Sequence, residues 1–277
     1  MGDEARSEGF ARRRGGNPTT HRTVAVLNHL GAHSPSTVTE VALALGMPKS
    51  TALGILEALQ DEGYVVRLEA RGPFALGPEA IRLGQRALGH LNVRTTLRPA
   101  MEDLVREFGE TCNLGVWAPD GKSVLYVEKV DGVRSIRIAA WVGKSNPCYC
   151  TAIGKALLMH LDGRDLEAYL DRVAPLTAHT ANTITIPGVL VEHLAQSRER
   201  GFTVDDEEHE PGVRCVAVPI RDPAGQVVAS LSLAAPAHRL PAPSWAPVAR
   251  RMAQAVRSHC AGLYTTDLAS GDGGAGP

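Results

Sequence analysis

The chain has 277 residues, with 29 Lys+Arg against 30 Asp+Glu, and is 44% hydrophobic but only 4% aromatic, the composition of a soluble globular protein of about two domains. The even charge balance excludes a protein held to nucleic acid or membrane by bulk charge, and leaves room for a local basic patch. No run approaches the ~18 apolar residues of a membrane helix, and the start Met1-Gly-Asp-Glu-Ala-Arg lacks the apolar stretch of a signal peptide, so a cytoplasmic location without a membrane partner is expected.

Residues 1–18 carry Arg12-Arg13-Arg14 and no apolar periodicity, and read as a disordered tail, either a solubilising segment or an arm for a DNA minor groove. Val24, Leu27, Asn28 and Leu30 follow helical spacing from Thr20 to Gly31. Thr37 and Glu40 form a capping box that opens a short helix, Val38 to Leu45, stopped by Gly46. Pro48 suits the first turn of a third helix, which carries Ala52, Ile55, Leu56 and Leu59 on one face and stops at Gly63. Two short helices around a glycine turn are a helix-turn-helix signature, though other small helical subdomains share it. Tyr64–Arg67 and Phe74–Leu76 around Glu69-Ala-Arg-Gly-Pro73 then predict a hairpin wing. The face left over places Lys49, Ser50 and Thr51 where groove-reading residues lie, with Arg67 and Arg71 on the wing for the phosphate backbone. Over residues 1–77 eight basic residues face eight acids, so the electrostatic footprint is modest.

A domain over 19–77 is thus expected, followed by a linker helix over 78–95, a second domain over 96–264 and a disordered tail over 265–277. In the second domain Leu97, Met101, Leu104, Val105 and Phe108 start an amphipathic helix, and past Gly109 the pattern turns to alternation. Strands are expected at 113–117, 123–128 and 135–139, helices at about 152–161, 165–171 and 187–200, and strands at 202–205, 214–221 and 226–234. A last helix runs to about Tyr264. The fold class is α+β, with an antiparallel sheet in the second domain.

In the last hairpin, Asp222-Pro-Ala-Gly225 as a four-residue loop pairs Arg221 with Gln226, sets Cys215 opposite Ser232 and sets Ala217 opposite Ser230. Val216, Val218 and Ile220 then share an apolar face with Val227, Ala229 and Leu231. The other face, of Cys, Ala and two Ser, suits the wall of a small-ligand pocket and equally a partly solvated sheet face. Thr151 is a natural N-cap, and the amides of Ala152 and Ile153 behind it open a helix end that attracts anions such as carboxylates. It is not a P-loop, because Ala156 follows Gly154-Lys155. In the acidic run from Asp205 to Glu210, a solvated loop by composition, only Asp205 stands at a strand end where it points inward. Five cysteines are an odd count, read as small buried hydrophobes rather than a disulfide framework. Cys148-Tyr-Cys150 alone is a weak metal signal, since zinc needs two more ligands, so neither a metal site nor a cofactor is expected. No catalytic residue pattern is found, so no enzyme is expected.

Three segments in order resemble the IclR-type transcriptional regulators of bacteria: Thr151-Ala-Ile-Gly-Lys-Ala-Leu-Leu158, Arg200-Gly-Phe-Thr-Val-Asp-Asp-Glu-Glu208, and Gly212-Val-Arg-Cys-Val-Ala-Val-Pro219 followed by Gly225-Gln-Val-Val-Ala-Ser-Leu-Ser232. The resemblance implies a winged helix-turn-helix, a GAF-like effector domain, a homodimer or tetramer on double-stranded operator DNA, and control by a small carboxylic or aromatic acid. It implies ligand contacts from the amides of Ala152 and Ile153 and from Asp205, Cys215, Ser230 and Ser232, with Ile138, Asn146 and Val213 as further wall residues. The DNA-contact set taken with this resemblance adds Leu53 to Lys49, Ser50 and Thr51. Two positions depart from the family pattern: Gly54 stands where the third helix usually carries arginine, and Tyr149 where relatives often have histidine. The competing reading is a redox- or metal-sensing regulator that uses Cys148, Cys150 and Cys215.

Overall fold

The computed structural model describes residues 17–70, 72–89, 91–134, 140–260, 262–266 and 268. Most of both expected tails, Arg71, and the strand expected at 135–139 with Ile138 lie outside these residues. The chain divides into two compact units, one ending at residue 90 and the other starting at Leu91. Among the described residues no single helix is long and apolar enough to cross a membrane.

The first unit runs α1 (Pro18–Ala32), α2 (Val38–Ala44), α3 (Lys49–Asp61), β1 (Val65–Arg67), β2 (Phe74–Leu76) and α4 (Pro78–Gly89). Helix α1 starts earlier than its apolar spacing predicts, because the Asn17 side chain accepts the Thr19 amide at 3.0 Å and Pro18 needs no N–H partner in the first turn. Gly31, expected to stop it, stays within the helix. The capping box of α2 is complete: Glu40 Oε2 accepts the Thr37 amide at 2.7 Å, and Thr37 Oγ1 accepts the Glu40 amide at 3.3 Å. Gly46, at φ 59°, makes the tight turn that side chains disfavour, and α2 and α3 meet at 115°. Pro48 caps α3 from just outside the helix instead of occupying its first turn. The stripes converge on a core in which Val26, Leu30, Val41, Ala52, Leu56, Val65 and Phe74 are fully buried. The hairpin pairs Val65 with Leu76 and Arg67 with Phe74. Ser36 adds a third edge to it through two backbone bonds with Phe74, of 2.9 and 2.7 Å.

The second unit runs α5 (Asn92–Phe108), β3 (Thr111–Trp117), β4 (Ser123–Val130), β5 (Ser145–Pro147), α6 (Ala152–Leu158), α7 (Gly163–Val173), α8 (Pro187–Arg200), β6 (Thr203–Asp206), β7 (Val213–Arg221), β8 (Val227–Pro236) and α9 (Trp245–Cys260). The stretch 78–95 thus holds all of α4 and the start of α5. The strands form one antiparallel sheet in the order β5-β4-β3-β8-β7-β6. Strand β5 has no sequence signal; its Pro147 lies at the sheet edge, where a missing N–H costs no ladder bond. Helices α5 and α9 pack together against the sheet, while α6 lies across β7, β8 and β6. Chain expected to be free from residue 265 begins by returning to the sheet, where Thr265 exchanges two backbone bonds with Arg221.

The β7-β8 register differs from the expected one. Arg221 pairs with Val227, not Gln226, and an irregularity between Ile220 and Arg221 adds a further offset, so Cys215 faces Ala234 and Ala217 faces Ser232. The total shift is two residues, which restores the alternation. Cys215, Ala217, Ser230 and Ser232 therefore still share a face, whereas Val227, on the far side of the irregularity, packs with Ala217 toward α6 and leaves the apolar face assigned to it.

Candidate functional site

The site is organised by α6, a seven-residue helix whose residues are all buried. Thr151 caps it, accepting the Gly154 amide at 3.2 Å and donating to Pro147 O at 2.8 Å. The helix approaches its neighbours closely at two glycines: a Cβ on Gly154 would lie 2.3 Å from Cys148 Cα, and one on Gly115 of β3 would lie 2.9 Å from Ile153 Cδ1. Two hydroxyls on the sheet then hold the first turn, Thr203 donating to Ala152 O at 2.7 Å and Ser230 to Ile153 O at 2.6 Å.

Beside this helix start is a cavity of about 30 Å³ lined by Asn113, Tyr126, Ala140, Lys144, Asn146, Thr151, Ala152, Ile153, Asp205, His209, Glu210, Val213, Cys215, Ser232 and Ala234. Seven residues singled out from the sequence meet here: Asn146, Ala152, Ile153, Asp205, Val213, Cys215 and Ser232. Ser230 does not line it, because its hydroxyl lies under α6 on the Ile153 carbonyl. Asn113, which the sequence reading missed, is paired with Ser232 across β3 and β8, and its buried Oδ1 has no hydrogen-bond partner. Asn146 donates to the Tyr126 hydroxyl at 3.2 Å.

The acidic run is not a solvated loop throughout. Asp205 Oδ1 accepts the Glu208 amide at 2.8 Å and the His209 amide at 3.4 Å, and burial pushes the Asp205 carboxyl up to about 7 despite Lys155 nearby. Glu208 turns inward and accepts a hydrogen bond from Lys155, whose side chain is 0% exposed. His193 of α8 stands 3.2 Å from the same ammonium group. Burial first, then the Lys155 and Arg200 charges, depress His193 to about 3.

In the first unit Lys49 and Ser50 are exposed and Thr51 partly so at the start of α3, which has neither a side-chain cap nor an acid in its first turn. Leu53 packs against the core edge. Arg67 braces the wing: its guanidinium lies 4.9 Å from the Phe74 ring centre and donates to Gly72 O at 3.3 Å. Gly54 is exposed, and a Cβ there would meet nothing within 4 Å.

Residues 19–69 match the IclR helix-turn-helix domain, and residues 85–261 match the bacterial transcriptional regulator IclR C-terminal family. The chain belongs to the IclR family. It is 38% identical to the HTH-type transcriptional regulator Rv1719 of Mycobacterium tuberculosis, over 82% of this chain and 85% of that one. It is 32% identical to the transcriptional repressor IclR of Escherichia coli, over 73% of this chain and 74% of that one. An IclR regulator structure from Alicyclobacillus acidocaldarius superposes with TM-score 0.78 at 27% identity, covering 90% of this chain and 99% of that one. The protein is therefore a transcriptional regulator with a DNA-binding helix-turn-helix and an effector-binding domain, and not an enzyme.

Within this IclR-family fold Cys148, Cys150 and Cys215 do not form one cluster of ligands. Cys148 is fully buried in the α6 core, and burial raises its thiol well above the usual range. Cys215 lines the cavity. Cys150 lies instead 3.7 Å from His209 Nδ1, a neighbour 59 positions away that no local spacing reveals.

Proposed function

We propose that this IclR-family protein is a repressor, with activation as the alternative, that binds operator DNA through Lys49, Ser50, Thr51 and Leu53 of α3, with the wing arginines Arg67 and Arg71 toward the backbone, and is controlled by a small carboxylic or aromatic acid. The observation that carries the effector reading is the cavity, where the start of α6, the partnerless Asn113 Oδ1, Asp205 and Ser232 converge. The 152–153 amides suit a carboxylate. Burial raises the Asp205 carboxyl to about 7, which favours its protonated form, able to donate to an anion beside it. Asn113 Oδ1 asks for a donor such as a ligand hydroxyl. A homolog from Microbacterium hydrocarbonoxydans in the same fold is complexed with 4-hydroxybenzoate, a compound with both groups. The homodimer or tetramer reading draws support from α4, which has no buried residue although Ile81 and Leu83 are 67% and 57% exposed.

Two half-sites and a ligand-shifted balance between arrangements of the reading heads follow from this proposal. It is tested by capture of sheared genomic DNA at graded salt, then release of the captured fragment by hydroxylated aromatic and aliphatic acids. A few enriched palindromes released by an acid in the wild type, and not in Asn113→Ala or Ser232→Ala, are expected. Release unchanged in both variants sinks the cavity assignment, and recovery without a shared sequence that vanishes steeply with salt sinks the operator reading.

A further inference from the structure

Cys150, His179 and His209 each present a donor atom, and these three atoms lie within 4.8 Å of one another. Cys150 Sγ and His209 Nδ1 are 3.7 Å apart. A tetrahedral zinc ion with Zn–S near 2.3 Å and Zn–N near 2.05 Å sets its sulfur and nitrogen ligands about 3.6 Å apart. That pair already has the required separation, and the donor atom of the exposed His179 ring lies within 4.8 Å of both.

The surroundings prepare both rings. Tyr149 donates its hydroxyl proton to Thr177 O at 2.7 Å, so its oxygen is left to accept from His179 Nε2 at 3.1 Å. That contact places the His179 proton on Nε2 and leaves Nδ1 bare, as an outer-shell partner does for a metal-bound histidine. His209 is half-buried, its ring edge-on to that of His179 with the centroids 5.1 Å apart. Asp205 accepts the His209 amide at 3.4 Å and so brings a carboxyl beside the cluster, which favours a cation there. One member of the set faces open space: His179, with Tyr149, lines an open groove of about 380 Å³, on which Lys122 and Arg172 also lie.

We propose that Cys150, His179 and His209 form a zinc-type metal site beside the effector cavity, which His209 also lines. Binding displaces the Cys150 proton to solvent and forms one metal–sulfur and two metal–nitrogen bonds, leaving the fourth position for water or an anion. The mixed sulfur and imidazole donor set selects zinc over calcium or magnesium.

The test uses the full chain, stripped with a chelator and titrated with cobalt(II) alone, with no effector or DNA, so that its outcome is independent of the effector reading. One equivalent of cobalt should bind per chain with a thiolate-to-metal charge-transfer band and the intense visible bands of tetrahedral coordination. Cys150→Ser should remove the charge-transfer band, while Cys148→Ser and Cys215→Ser keep it. His179→Ala and His209→Ala should each weaken binding about tenfold or more, since even outer-shell changes reach that range. Circular dichroism of the metal-free variants establishes that they fold, and His179→Gln, on an exposed side chain, replaces any that does not. No saturable uptake, a charge-transfer band that survives Cys150→Ser, or an affinity unmoved by the histidine changes overturns the proposal.

Discussion

Lys155 and Glu208 are buried together behind α6, at 0% and 5% side-chain exposure. Such a pair adds little over well-packed apolar residues, but removing one member strands the other's charge in the interior. Lys155→Met is therefore expected to lower unfolding free energy by about 3–5 kcal/mol in urea titration, and Lys155→Met with Glu208→Leu to recover most of that loss. His193, on the same ammonium group, gives the pair a pH signature. Its native pKa of about 3 lies below its ordinary value of 6.5, so as pH falls the unfolded chain takes up the proton first. Stability contributed by neutral His193 is thus complete above about pH 6.5 and is lost toward about pH 3. Urea midpoints from about pH 7 to about pH 4 should fall less in His193→Gln than in the wild type.

At the scale of elements, α6 is held by partners far away in the chain, and this separates two serines that the sequence treats alike. Ser230 acts through the Ile153 carbonyl, so Ser230→Ala should cost about 1–2 kcal/mol of stability with a smaller change in effector affinity than Ser232→Ala, measured by urea titration and calorimetry. Helix α3 shows the opposite case, a face open enough to be rewritten. Gly54→Arg places its Cβ on an exposed position with nothing within 4 Å, gains about 0.5–1 kcal/mol of helix propensity and adds one cation. If that face meets phosphate, DNA affinity rises and the slope of log K against log salt steepens by about one. Elements of this kind were legible from sequence wherever period and caps agreed, as in α2 with Thr37 and Glu40. Illegible were features fixed by tertiary pairing: β5 with its edge proline, the two-residue register offset in β7-β8, Asn113 brought beside Ser232 by β3, and Glu208 drawn inward by Lys155. In the hairpin the faces survived a wrong register only because side-chain direction depends on whether the offset is odd or even, and Val227 changed face where the count was odd.

On the scale of the whole molecule, the two units have separate cores, one around Leu30, Leu56 and Phe74 and the other around α6, which is what the composition of a two-domain chain requires. The motifs that carried the resemblance, from Thr151 to Ser232, all fall in the second unit and all border α6 or the strands beneath it. The cavity there, at about 30 Å³, has room for about one or two waters, while ligand sites for small molecules are commonly ~300 Å³ or more. An aromatic acid of the kind proposed would therefore have to await an opening of this wall, and its apparent affinity would be divided by the rarity of that opening. Stopped-flow mixing with an effector should then give an observed rate that levels off at high ligand concentration, the ceiling being the rate at which the protein itself opens, so that with metabolite in excess the pace of a response would be set by the chain.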